Sequence, residues 1–429
     1  MSAIAIGRFE RVTRARARAD ARDRRAAVPR WRRLAQRLLV VAVFFSGWSL
    51  LRVGQINLTL SDLAILASFS LFALQGQLSL RPFGPLTPYW ILGLTLMLGG
   101  LFVSSIINGD PLRWLNIASQ YLVAFLLVPI LLMQQDDRTA RSLSLAFLSG
   151  TTLSEIIGIA ASLLLTYHDT LRWLGDGFIT GNNRLGAMAG QPNPNGAMVA
   201  FSFPMLIYTL RRGAIPWWVG LSCGLVLTWG LMLSASFTGF FASVMAVLAT
   251  LTLMGARYMI RLGMVGLVAA GLFVASGSPL PKAFQTRVGA AVEAGDIQEA
   301  GTFVNRSDLI REAWGMAEHN SVIGLGADRY RDISAYDNPV HDLYLLVWNE
   351  GGCVAFVGLV TLLLLLLVLA AAGLRRNRDA AAMAVAVATV FLIYTVSYPH
   401  MYSRMWTVPV LVALSVIYAR RFGAVAPRA

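Results

Sequence analysis

The sequence predicts an all-α, polytopic integral membrane protein with about 12 transmembrane helices and a large, partly helical loop between helices 9 and 10. Three observations lead there. Of 429 residues, 56% are hydrophobic and only 14% charged, where soluble domains carry about 25% charged residues. Apolar runs long enough to cross a bilayer as helices recur along the whole chain. The two-residue alternation of a membrane β-barrel is absent.

The twelve runs fall at 38–54, 58–80, 86–107, 115–133, 143–165, 195–210, 216–233, 237–254, 259–275, 352–374, 380–398 and 405–419, the first, sixth and ninth being short. They divide the chain into a basic tail at 1–37, spans 1–9 within 38–276, a long loop at 277–342, spans 10–12 within 343–419 and a short tail at 420–429.

Charge orients these spans. The chain has 35 arginines and a single lysine, Lys282. Twelve arginines lie in 1–37 against Glu10, Asp20 and Asp23, so the tail holds +9 of the net +14. Alternate loops add 13 more, which leaves 25 arginines on one side and 10 on the other. Basic residues mark cytoplasmic loops, so both termini are expected in the cytoplasm and loops 166–194 and 277–342 outside. The tail reads as a topogenic signal and a contact for anionic membrane lipids. It lacks the interleaved aromatics that stack bases, so no nucleic-acid partner is expected. No small-residue cleavage site follows the first apolar run. Cys223 and Cys353 both fall within apparent spans and suggest neither a disulfide nor a thiolate metal site.

The loops differ in size. The turn Ser234-Ala235-Ser236 is a few residues long, whereas 166–194 carries Gly181-Asn182-Asn183-Arg184 and Gln191-Pro192-Asn193-Pro194-Asn195-Gly196. In the longest loop, 281–297 is weakly amphipathic and 307–318 more clearly so, with Leu309, Ile310, Ala313, Met316 and Ala317 at helical spacing. Gly324-Leu325-Gly326 is expected to end that helix and turn the chain. Long loops with structure of their own are usually functional.

Where this loop re-enters the bilayer stands Asn338-Pro339-Val340-His341-Asp342-Leu343-Tyr344-Leu345, with Glu350-Gly351-Gly352 close behind. A histidine at such a boundary titrates near neutral pH and meets both water and a lipid-borne substrate. The expected outer loops also collect arginine, including Arg184, Arg306, Arg329 and Arg404. Guanidinium forks suit diphosphate oxygens; the alternative is solvation or pairing with neighbours such as Asp308 or Asp328. Arg306 at a helix start and Arg404 at the base of the last span are the strongest of these. Glu155, near the middle of the fifth span, is either a proton-pathway or substrate contact or a protonated structural acid. Glu350 serves the site or caps the turn at Gly351-Gly352. Asn193 and Asn195 suit sugar hydroxyls, but capping of the sixth span is the more ordinary role. Tyr344 suits sugar stacking or interfacial anchoring. The four histidines, His168, His319, His341 and His400, show no metal-ligand spacing.

Arg306, Ile310, Ala313 and Gly324-Leu325-Gly326, followed by His341-Asp342-Leu343-Tyr344-Leu345 and Glu350-Gly351, resemble the ordered motifs of the O-antigen ligase and O-antigen polymerase superfamily of bacterial envelope glycosyltransferases. The elements at 192–195 and 234–239 have counterparts there. The resemblance implies saccharide transfer from an undecaprenyl-diphosphate-linked oligosaccharide to an acceptor glycan or lipid, at the periplasmic face of the inner membrane. It implies a metal-independent, inverting glycosyltransferase that uses no cofactor. It assigns His341 as the catalytic base and Arg306 as a diphosphate ligand. One residue departs from the pattern: Phe237 follows Ser236 where the family has a second arginine, and Arg184, Arg404 or Arg329 would have to supply that charge from another loop. Asp342 replaces a usual asparagine. The favoured function is polymerisation of surface-polysaccharide repeat units, acting with a flippase and a chain-length co-polymerase. The alternatives are an O-antigen ligase acting on lipid A-core and, from another class, a lipid-linked oligosaccharide flippase, against which stands the lack of internal repeats.

Overall fold

The computed structural model describes residues 30–53, 58–277, 279–289, 293, 303–399 and 401–422. Among the described residues it is helical apart from a short antiparallel strand pair, β1 (Arg52–Val53) against β2 (Leu58–Thr59), and an isolated bridge between Ile179 and Leu185. The principal helices are α1 (Arg30–Phe44), α2 (Leu60–Leu74), α3 (Thr87–Asn108), α4 (Pro111–Leu132), α5 (Asp137–Leu164), α6 (Tyr167–Leu174), α7 (Pro192–Arg211), α8 (Trp217–Ser234), α9 (Phe237–Met254), α10 (Ala256–Ala275), α11 (Phe303–His319), α12 (Tyr330–Ile333), α13 (Leu343–Ala372), α14 (Arg378–Thr395) and α15 (Arg404–Phe422). Each of the twelve apolar runs contributes a helix. Among the described residues, seven are long and apolar enough to cross a membrane: Gly84–Asn108, Pro111–Leu132, Asp137–Leu164, Trp217–Ser234, Phe237–Met254, Leu343–Arg375 and Arg378–Thr395.

The first two runs differ from expectation. Helix α1 begins inside the basic tail and stops at Phe44, where the chain turns and Trp48 Nε1 donates to the Gly150 carbonyl at 3.0 Å. Beyond Phe44 the described part of that run is turn followed by β1. Helix α2 starts at a capping box, Thr59 with Asp62, and ends at Gln75, so the second run is helical only over its first two-thirds. In the longest loop the second amphipathic stretch becomes α11. The first contains Lys282–Phe284 and a π-helical turn, Gln285–Gly289, and most of its remainder lies outside the described residues.

The helix ends segregate into two faces. At the basic end, Arg211 pairs with Asp379 at 2.8 Å and Arg378 donates to the Leu253 carbonyl at 2.6 Å. At the opposite end, Asn108 Nδ2 reaches the Gly324 carbonyl at 2.9 Å and Arg113 the Asp328 carbonyl at 3.0 Å. There too, Arg184 meets Ser234 and Tyr394 meets Asn193. The loops assigned to one side by arginine counting therefore touch one another. The core between them is dense around α7, α14 and α15; in α14 the small residues Ala380–Ala382, Ala384 and Ala386 are fully or nearly fully buried and let its neighbours approach closely.

Candidate active site

A tight turn aims Arg184 inward. Thr180 N donates to the Arg184 carbonyl at 3.0 Å, and Asn183 takes a left-handed φ of 57° that asparagine tolerates. The guanidinium is buried. Its Nε donates to the Ser234 carbonyl and its Nη2 to Asn193 Oδ1, both at 2.9 Å. Ser236 Oγ donates to the same Asn193 oxygen at 3.2 Å and accepts from Gly239 N at 3.1 Å, capping α9. Between the two serines, the buried Ala235 holds φ 45°, ψ 37°, a strained conformation for a residue with a β-carbon. An arginine from loop 166–194 thus lies in the same knot as Ser236, the residue that Phe237 follows.

Asn193 and Asn195 do not cap α7. Gln191 stands at the cap position with no side-chain bond. Pro192 and Pro194 lack N–H groups, which removes two of the donors a cap would satisfy. Asn193 instead ties the first turn of α7 to Arg184 and Ser236, and its carbonyl accepts from Tyr394 Oη at 3.0 Å. Asn195 Nδ2 points to the Leu185 carbonyl at 3.5 Å. Glu155 is fully buried beside Asn195 and packs on Gly230 so closely that a β-carbon there would lie 1.9 Å from its Oε2.

His341 is half-buried between Val340, which joins a cluster with Ala313 and Tyr330, and Asp342. Asp342 caps α13, its carboxylate accepting from Leu345 N at 2.9 Å, and burial raises its pKa above the ordinary aspartate value. One turn into the helix, the Tyr344 hydroxyl accepts from Thr395 Oγ1 at 3.3 Å, so the His341 segment adjoins the end of α14, where Tyr394 holds Asn193. The loop before His341 is held by Glu312 of α11, whose carboxylate accepts from Tyr330 Oη at 3.0 Å, Ser334 Oγ at 2.8 Å and Ala335 N at 2.7 Å. Arg306 lies in the first turn of α11, but its side chain is outside the described residues, as is His400. Arg329 is exposed beside Asp328, a residue at φ 56° that pairs with Arg331 at 2.7 Å.

The glycine motifs have a use the sequence did not reveal. Helix α11 ends at His319, before Gly324-Leu325-Gly326. That segment runs alongside a break in α13: Leu325 N donates to the Asn349 carbonyl at 2.8 Å and Gly326 N to the Glu350 carbonyl at 3.0 Å. The break itself is Gly352, at φ 70° and ψ −173°. A β-carbon at Gly324 would lie 2.3 Å from the Glu350 carbonyl carbon, and one at Gly352 would lie 2.2 Å from the Val322 oxygen. Glu350 does not cap the adjacent turn; its side chain accepts from Tyr330 N at 3.3 Å, the first residue of α12.

Arg404 is engaged differently. It forms a buried ion pair with Asp62 of α2, Nη2 to Oδ2 at 2.6 Å, and bonds the side-chain oxygen of Gln120. Both partners come from elements the sequence did not connect with it, although the capping-box pattern Thr59 to Asp62 marks that helix start. Arg404 borders a cavity of about 260 Å³ walled by Arg52, Gln120, Gln191, Tyr398, Tyr402 and Trp406, among others. His341 and Arg184 are not among its lining residues.

Residues 221–360 match the family model described as O-antigen ligase. The matched segment is similar to an O-antigen ligase domain. It reaches from α8 into α13 and so contains the Ser234–Phe237 turn, Arg306, the Gly324–Gly326 segment, His341 and Glu350. The O-antigen ligase match supports membership of the ligase and polymerase superfamily and a glycosyltransferase-type activity. Arg184, Asn193 and Arg404 lie outside the matched segment. No curated protein matches the chain.

Proposed function

We propose that the protein polymerises repeat units of a surface polysaccharide, transferring glycan from an undecaprenyl-diphosphate-linked donor at the periplasmic face of the bacterial inner membrane, with both termini in the cytoplasm. The observation that carries this proposal is the O-antigen ligase match over the segment that holds both His341 and Arg306.

In this mechanism the neutral imidazole of His341 removes the proton of an acceptor hydroxyl as it attacks the anomeric carbon. The bond from that carbon to the diphosphate breaks, and arginine charge stabilises the departing anion. Arg306 and Arg184 supply the charge, with Arg329 at the exposed margin. Arg404, already paired with Asp62, serves the fold more than the diphosphate. Attack opposite the leaving group inverts the anomeric centre, and neither a metal ion nor a nucleotide sugar takes part.

The description of the matched family favours a second reading, a ligase that moves finished glycan onto an acceptor lipid. Gene deletion separates the two. Loss of all polymer with single units remaining supports the polymerase; intact polymer left on its carrier lipid supports the ligase instead.

A further inference from the structure

We infer that the cavity beside Arg404 is a saccharide subsite, which takes uncharged sugar rings of the glycan and not its diphosphate. The inference rests on the glycosyltransferase reading above and assigns to it a pocket whose lining includes neither His341 nor Arg184.

The chemistry of the walls carries it. The buried cation there, Arg404, is matched by Asp62 and by the Gln120 side-chain oxygen, so its charge is answered within the protein. Arg52, the other cation of the wall, is exposed, so water screens its charge. A diphosphate brings more than one negative charge and needs several converging cations or backbone donors to hold it. The remaining polar side chains of the wall are neutral amides and hydroxyls, among them Gln120, Gln191, Tyr398, Tyr402, Ser403, Ser49 and Thr59. Such groups both donate and accept, as a ring of sugar hydroxyls requires. Tyr402 keeps its proton at any physiological pH, since burial pushes its pKa up to about 12. Tyr398 and Trp406 form an aromatic wall with ring centroids 4.9 Å apart, and aromatic faces suit the apolar faces of sugar rings. At about 260 Å³ the space lies near the lower end of small-molecule pockets, roughly 300 Å³ and above, enough for a short saccharide.

The position fits a glycosyl-transfer site. Gln191 and Pro194 flank the Asn193 that holds Arg184, while Tyr402 lies close enough to feel the charges of Asp328, Glu350 and Arg331 on the His341 side. A saccharide here lies between the arginine knot and the histidine loop.

The test uses purified full-length protein in lipid nanodiscs and two probes: the oligosaccharide released by mild acid from the native lipid-linked repeat unit, and undecaprenyl diphosphate bearing no sugar. Binding of each is measured by calorimetry for wild type, Gln191→Ala and Tyr402→Phe, with unfolding temperatures recorded to confirm that the variants are folded. The expected result is at least tenfold weaker oligosaccharide binding in both variants, with undecaprenyl diphosphate binding within twofold of wild type. Should one variant fail to fold, the other decides alone. Equal weakening for both probes would place the diphosphate in the cavity and overturn the subsite. So would unchanged oligosaccharide binding, or none to wild type. Competition by the intact lipid-linked unit identifies the sugar as the donor's, and its absence as the acceptor's; both are saccharide occupancy. Because binding is read without turnover, failure of wild type to form glycosidic product refutes the proposed function separately.

Discussion

The Arg184 guanidinium and the Asn193 side-chain oxygen lie 2.9 Å apart, and that contact sets a buried cation beside Ser236. Phe237 occupies the next position, and this cation comes from a different loop. If Arg184 serves the diphosphate, Arg184→Lys keeps the charge but loses the fork that spans Ser234 and Asn193. Losing a charged hydrogen bond costs about 1.5–3 kcal/mol, or roughly tenfold to hundredfold in turnover. The rate of product formation from lipid-linked donor checks this, and wild-type turnover in the lysine variant would remove Arg184 from the site.

The Arg404–Asp62 pair makes a different prediction. Removing one member of a buried ion pair strands the other, at a cost of about 3–5 kcal/mol, whereas replacing both by apolar residues is often neutral. Arg404→Met is therefore expected to lower the unfolding temperature in detergent strongly. The double variant Asp62→Leu with Arg404→Met recovers the part of the loss due to the stranded charge, less the cap that Asp62 provides with Thr59. A single variant that unfolds with wild type would show that the pair does not hold α2 to α15.

Gly324→Ala tests the joint between the loop and α13. Its β-carbon would meet the Glu350 backbone at 2.3 Å, and backbone cannot rotate away as a side chain can. Overpacking of this kind costs about 1–3 kcal/mol or more. Both a lower unfolding temperature and reduced product formation are expected, since Gly326 and Tyr330 of the loop leading to His341 are hydrogen-bonded to Glu350. An active variant of normal stability would mean that the close approach is dispensable.

Asp342 gives a pH-dependent outcome. Burial raises its folded-state pKa, so the folded protein holds this proton more tightly than the unfolded chain does. Its contribution to stability is fully present below the ordinary aspartate pKa of about 3.9 and is lost as pH rises through the folded value. Asparagine caps a helix equally well and has no charge to desolvate. Asp342→Asn should therefore gain stability relative to wild type as pH rises through that window. Unfolding temperatures across pH report it, and a relative loss with rising pH would contradict it.

The helices were legible because apolar runs of bilayer length have few other uses, and arginine counting grouped the loops that the fold brings together. Motif order singled out His341 and Arg306 as candidates, and both fall within the matched segment. Partners distant in the chain were not. Asp62 is 342 residues from Arg404, and Ser234 is 50 from Arg184; no local pattern joins them. Gly324-Leu325-Gly326 read as a turn because glycine ends helices, whereas its use here depends on a broken helix beginning some twenty residues later. Asn193 read as a cap because the flanking prolines mark a helix start, although those same prolines reduce the need for one.

The most direct test of the account is glycan synthesis by purified His341→Ala from a lipid-linked repeat unit, beside wild type. If His341 is the base, the variant inserts, folds and binds donor normally but forms no glycosidic product. Product at the wild-type rate would contradict the mechanism.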